Sequence, residues 1–204
     1  MPRASKKDAE RHRREIVAAA ARLFRERGIG GVSVPEVTAA AGLTHGGFYG
    51  QFASKSALAA EAIGAASSEL ADLLAPTLAE AAHDRGKAFD DLVSAYVSAA
   101  HRDDPGHGCP VAALVDHARG ADAPEVDDAY RASVERMVGA IATVLPPDAT
   151  RAEALSTLAS MVGGVLLARA SAGSPLSDEI LSATRDALIA ARAPDDPESS
   201  PKPS

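Results

Sequence analysis

Between Gly28 and Lys55 the chain compresses two short helix signals around a glycine-closed corner, and this pairing restricts the fold more than any other stretch. Ser33-Val34-Pro35-Glu36 reads as a capping box, in which the Ser33 hydroxyl accepts from an early backbone N–H and the Glu36 carboxylate reaches back to the N–H of Ser33. Pro35 stands in the first turn, where its missing N–H costs nothing. The short helix runs over Val37 and Ala41 and stops at Gly42, which can take the left-handed conformation that helix ends favour. Leu43 fills the corner, and Thr44 is a good cap for a second helix. On that helix Phe48 and Phe52 share one face, while His45 and Tyr49 share another. One face is expected to pack and the other to meet a partner.

The rest of the chain is helical in pattern, with no sustained strand alternation and with loops marked by Gly, Pro and Asp. A first helix over 8–27 buries Ile16, Ala20, Leu23 and Phe24 and presents Arg11, Arg14, Arg22 and Arg25 on its surface; Gly28 ends it. Ser54 caps a long helix with Leu58, Ala62, Leu70, Leu73 and Leu74 at apolar positions, and Pro76 is expected to kink or end it. Further helices fit 87–102, 109–119, 124–145, 149–171 and 176–192, separated by Asp103-Asp104-Pro105-Gly106, Pro146-Pro147 and Gly173-Ser174-Pro175. The expected class is all-α, with about nine helices. The tail 193–204 is rich in Pro, Ser and Asp, has nothing to bury, and is expected to be disordered.

With 204 residues, 46% hydrophobic and 24% charged, the chain can bury one sizeable core or a small domain beside a larger one. Its most apolar stretch, 158–168, is about half of what a membrane-spanning helix requires, so no membrane partner is expected. The Lys- and Arg-rich N-terminus leads into no apolar core or cleavage site and does not read as a signal peptide; the expected location is cytoplasmic. One cysteine, Cys109, excludes an intrachain disulfide and suits a reducing compartment. Charge is unevenly divided. Residues 1–55 carry ten Lys or Arg against five acids, a net of +5, so the overall −7 leaves −12 on the remainder. A basic head on an acidic body suits a chain that meets phosphate at one end only, although a solvated N-terminal helix would carry similar arginines.

The run from Ser33 to Lys55 resembles the helix-turn-helix of the TetR family of bacterial one-component transcriptional regulators. Ala41-Gly42-Leu43-Thr44, Phe48-Tyr49-x-x-Phe52 and Ser54-Lys55 stand at the family's spacing. The resemblance implies an N-terminal helix-turn-helix three-helix domain over 1–55 and a C-terminal helical ligand-binding and dimerisation domain over 56–192. It places Thr44, His45 and Gly46 at the start of a recognition helix in the major groove of double-stranded operator DNA, with His45 at base edges and Gly46 allowing close backbone approach. It also matches Ser33, Tyr49, Lys55 and Gln51 to phosphate-holding positions, Gln51 being equally compatible with simple exposure. Two positions depart from the family. Gly47 and Gly50 stand where side chains often make contacts, and together with Gly46 they cost about 1 kcal/mol each relative to alanine, so this helix is expected to be marginal away from DNA.

By the same resemblance, the last two helices pair two chains into a homodimer and the domain encloses a small-molecule effector. Leu155, Leu158, Val162 and Leu166 form one apolar stripe, and Ile180, Leu181, Ala187 and Leu188 form the next, though both could instead close the subunit's own core. A two-fold dimer would space its recognition helices about 34–36 Å apart and call for a near-palindromic operator. Tyr96, Val97, Cys109, Leu114, Met137 and Ile141 are candidate pocket residues, with core packing as the alternative for each. The implied mechanism is a population shift in which effector and operator oppose each other, repression being the family's usual mode.

Cys109 heads the segment Cys109-Pro110-Val111, a helix start that would lower a thiol's pKa and suit an electrophile sensor; the alternative is a small packing residue. His101, His107, Cys109 and His117 have no recognised metal-site spacing, and neither metal nor cofactor is expected. A rival class is a cofactorless helical thiol enzyme using Cys109 with His107 or His117 as base. It leaves the 33–55 motif unexplained, and no enzyme activity is expected.

Overall fold

The computed structural model describes residues 6–43, 46–116 and 123–192, and all regular elements among them are helical. In order they are α1 (Lys6–Arg27), α2 (Val34–Ala40), α3 (Gly46–Tyr49), α4 (Lys55–Glu80), α5 (Arg85–Tyr96), α6 (Ala99–Asp103), a 3₁₀ turn (Pro105–His107), α7 (Pro110–Ala113), α8 (Pro124–Val144), α9 (Arg151–Ala170) and α10 (Pro175–Arg192). The all-α expectation holds. The tail 193–204 lies outside the described residues.

Two apolar cores are strung along α4. Its first half contributes Leu58, Ala59, Ala62, Ile63 and Ala66 to a head-side cluster with Ile16, Ala20 and Phe24 of α1, Val37 of α2, and Phe48 and Phe52 around α3. Its second half contributes Leu74, which joins Phe89, Leu92 and Val93 of α5, Met137 and Ile141 of α8, and Met161 and Val165 of α9 in the body core. α8 packs on α4 and α9, and α10 packs on α9 and α5. By length and apolar content α9 could cross a membrane, yet it lies between α8 and α10 with Ala154, Leu158, Met161, Val165 and Ala168 in the body core.

Three expectations are corrected here and one is narrowed. Pro76 does not end α4: the helix continues through it to Glu80, with Leu74 and Leu78 on either side packed on the body core. The helix expected over 87–102 is broken at Val97, whose ψ of 68° leaves the helical region, and Ser98 opens α6 by accepting from His101 N–H at 3.2 Å. Leu73 is 69% exposed instead of buried. Arg25 is only 4% exposed: its Nε donates to Ala21 O, Nη1 to Gly108 O at 3.1 Å, and Nη2 to the Glu69 carboxylate at 2.8 Å.

These assignments make contrasting predictions for two residues that look alike in sequence. Replacing Ile141, fully buried in the body core, with Ala should cost about 2–5 kcal/mol through lost burial and a residual cavity. Leu73→Ala should change stability by no more than about 0.5 kcal/mol. Urea unfolding of both variants, followed by far-ultraviolet circular dichroism, checks the pair.

Candidate nucleic-acid interface and ligand cavity

The head is set by local chemistry at its helix ends. Ser33 Oγ accepts from Glu36 N–H at 3.4 Å, while the Glu36 carboxylate accepts from Ser33 N–H at 2.8 Å and from the Ser33 hydroxyl at 2.6 Å. The Arg27 guanidinium reaches the same carboxylate at 2.9 Å, which ties the end of α1 to the start of α2. These partners hold the Glu36 carboxyl down at about 2, the Ser33 hydroxyl being the largest cause. At the other end, Gly42 has φ +69°, its N–H bonds Ala39 O, and Leu43 N–H bonds Thr38 O at 2.9 Å. That is a Schellman closure, and the positive φ is why glycine stands there.

α3 is seated by an aromatic stack. Phe48 and Phe52 lie 5.5 Å apart between ring centroids, and both are buried. Tyr49 packs edge-on against Phe48 at 5.2 Å, yet leaves 70% of its surface to solvent. Arg13 lies over the Phe52 ring at 4.2 Å, donates to the Gln51 carbonyl and pairs with Glu61. This clamp is absent from the sequence reading, in which Arg13 is one basic residue among many. Lys55 opens α4, capped by Ser54 Oγ accepting from Ala57 N–H at 2.9 Å. Of the candidate DNA contacts, Ser33 caps α2, Gly46 and Tyr49 belong to α3, Gln51 follows α3 and Lys55 begins α4; Thr44 and His45 lie outside the described residues. An exposed hydroxyl and an ammonium at successive helix ends are suited to phosphate oxygens.

In the body, a cavity of about 270 Å³ opens between α4 and the segment from Ala95 to Cys109. Leu70, Leu73 and Leu74 give its apolar wall, and Tyr96, His101 and Cys109 stand opposite. A second cavity of about 250 Å³ shares Leu70 and Leu74 with it and includes Met137. Of the candidate pocket residues, Tyr96, Cys109 and Met137 therefore line cavities. Val97 and Ile141 are fully buried body-core residues that line neither. Leu114 is corrected to the head-side core, because α7 carries it back over α1.

His101 pins the cavity wall. Its Nδ1 lies 2.7 Å from Tyr96 O, and its Nε2 accepts from Cys109 N–H at 3.1 Å, which assigns the proton to Nδ1. Burial lowers its pKa and so favours this neutral form. Of the two readings of Cys109, the burial favours packing over thiol activation: the residue is fully buried at a helix of only four residues, and burial pushes its thiol up. His101 engages the Cys109 backbone, His107 pairs with Asp104 at 3.0 Å, and His117 lies outside the described residues, so none of the described imidazoles serves the thiol as a base.

The candidate dimer residues divide between the core and the surface. Leu158 and Leu181 are corrected to the subunit's own core, where they are 5% and 4% exposed. Leu155 is 41% exposed, Ala187 is exposed, and Val162, Leu166, Ile180 and Leu188 are half-buried. Leu167, absent from the sequence candidates, is 60% exposed on α9. Its 3.6-residue spacing from Gly163 and Gly164 is the signal that could have found it.

Residues 16–62 match the family model of the bacterial regulatory proteins, tetR family. Among solved structures, a TetR-family transcriptional regulator from Cytophaga hutchinsonii is 25% identical with a TM-score of 0.73, over 94% of this chain and 98% of that one. A TetR transcriptional regulator from Chloroflexus aurantiacus is 24% identical with a TM-score of 0.74, over 90% and 95%. One from Agrobacterium tumefaciens shares the fold at a TM-score of 0.75 with 17% identity, over 91% and 100%. No curated protein matches the chain in sequence.

The capping box has a measurable titration. Because the folded Glu36 carboxyl titrates near 2 instead of its ordinary 4.5, its contribution to stability is full above about pH 4.5 and is lost as pH falls towards 2. Carboxyl-carbon NMR should show a Glu36 midpoint near 2, shifting upward in Ser33→Ala. A midpoint near 4.5 in the unaltered protein would contradict the box.

Proposed function

We propose, from the membership of this chain in the TetR family of bacterial regulatory proteins, that it is a cytoplasmic, ligand-responsive transcriptional repressor. In this reading a homodimer binds a near-palindromic operator through α3 and its flanking caps, and a small, mainly apolar effector releases it.

The observation that carries the reading is a single segment with two neighbours. Residues 105–109 form part of the cavity beside α4 through His107, Gly108 and Cys109, and the same segment rests on α1 of the head. Gly106 sits so close to α1 that an added Cβ would lie 2.7 Å from Glu26 Oε1 and 3.2 Å from Arg22 Cγ, and Gly108 O accepts from Arg25. A ligand that moves the cavity wall moves the seat of α1, which is what linkage between effector and operator needs. Pairing through α9 and α10 is supported by the exposed Leu155, Leu167 and Ala187, whose apolar surface a two-fold contact would cover.

Fluorescence anisotropy with duplexes from upstream of the chain's own gene tests the DNA reading, and sedimentation tests the dimer. Affinity should fall steeply between about 50 and 200 mM salt as counterions are released. Lys55→Ala should weaken all duplexes alike and reduce the salt slope by about 1. A monomer that binds none of these duplexes at low salt would overturn the proposal.

A further inference from the structure

The second cavity, of about 250 Å³, lies between α4 and α8 and carries a cation that the subunit leaves unanswered. Its walls are Leu70, Leu74 and Leu78 of α4 with Met137 and Ala140 of α8. Three hydroxyls also line it, and their protons are committed within the protein. Ser67 Oγ lies 2.8 Å from both Ile63 O and Ser133 Oγ, so the two serine protons serve these two bonds. Thr143 Oγ1 donates to Gly139 O at 3.1 Å.

Arg136 lines the same cavity, and among the described residues no hydrogen bond or ion pair engages its guanidinium. Its own helix offers it no acid. Positions 132, 133, 139 and 140, the ones an α-helical side chain can reach, hold Ala, Ser, Gly and Ala. The two nearest arginines in sequence are answered: Arg131 pairs with Asp128, and Arg151 with Glu135. Among the described residues no carboxylate lines this cavity, whereas the neighbouring one includes Asp104.

These observations fix the charge and the character of what fits. A guanidinium stays protonated at any working pH, and its planar fork matches the two oxygens of a carboxylate. The leucine wall offers apolar contact, and Met137 supplies an adaptable thioether chain that can settle around a hydrocarbon. The volume falls just below the usual range of about 300–1,000 Å³ for drug-sized ligands, which selects a small molecule.

We infer that the cavity between α4 and α8 binds a small apolar monocarboxylate, its hydrocarbon part against Leu70, Leu74 and Met137 and its carboxylate on Arg136. Because Arg136 is exposed, it adds little affinity but sets selection, favouring an anion over a neutral isostere and repelling a cation. The site goes beyond the regulatory reading, which assigns the effector no charge, and its occupancy is measurable whether or not DNA responds.

Isothermal titration of the full chain with hydrocinnamate, hydrocinnamamide and phenylpropylammonium tests this, because the three share one hydrocarbon body and differ in charge. Hydrocinnamate should bind tightest and the ammonium weakest. Arg136→Gln, at an exposed position, should keep the thermal unfolding midpoint, weaken hydrocinnamate by about three- to fivefold and leave the amide unchanged. Ala71→Trp, exposed and lining only this cavity, should weaken acid and amide together. Ala95→Trp, which lines only the neighbouring cavity, should weaken neither. Equal affinity for hydrocinnamate in the original and Arg136→Gln proteins would overturn the inference. So would tightest binding by the ammonium, loss of binding through Ala95→Trp in place of Ala71→Trp, or no binding of hydrocinnamate at millimolar concentration.

Discussion

The guanidinium of Arg25 holds the two halves of this molecule in register. It leaves α1 on the head and donates both to the Glu69 carboxylate on α4 and to Gly108 O on the cavity wall. A charge buried to this degree costs several kcal/mol unless its donors are met. The planar fork of arginine demands that its acceptors lie in fixed directions, so α1, α4 and residues 105–109 cannot shift independently without leaving a donor unmet. Lysine, a point charge on a flexible stem, would impose no such geometry.

Placing the two cores along one helix reinforces this dependence. Ile63 and Ala66 face the head, and Leu74, about two to three turns later, faces the body. The Ser67 hydroxyl marks the division, donating within α4 to Ile63 O and lying 2.8 Å from the Ser133 hydroxyl of α8. A rotation or translation of α4 is therefore felt in both clusters at once. Close-packed interiors transmit such a displacement because they have little free volume to absorb it.

Features closed by neighbouring residues were legible in the sequence, and features closed across the fold were not. Ser33 with Glu36, Gly42 with Ala39, Leu43 with Thr38, and the prolines and glycines between helices each complete their bonds within a few positions, so pattern alone finds them. The stop allowed for at Pro76 does not occur, because its local penalty is outweighed by Leu74 and Leu78, whose partners lie on other helices. Arg25 and Leu73 were exchanged in burial for a related reason. Helical periodicity places a residue on a face, but only the packing of α4 and the 105–109 segment decides which face is covered. The Ser98 cap was readable in principle, yet the apolar positions around it form an unbroken helical stripe that hides the break. At the head the motif named the right flanks, while the Arg13 clamp spans 38 and 48 residues and has no local signature.

The wall shared by the cavity and α1 is built from interactions of the strength a switch can use. Coupling between two ligands is typically about 1–3 kcal/mol. One or two net hydrogen bonds amount to the same scale. Residues 105–109 are held by such bonds: Gly108 O to Arg25, Cys109 N–H to His101, and His107 to Asp104. The last of these residues, Cys109, is buried in the body core together with Val111 and Ala112, which anchors the segment at that end. A wall made of residues such as Ile141 would cost more to move than an effector could supply, and a fully solvated loop would move without informing α1. Between these limits lies a segment that is hydrogen-bonded on one side, seated on the head on the other, and anchored at its end.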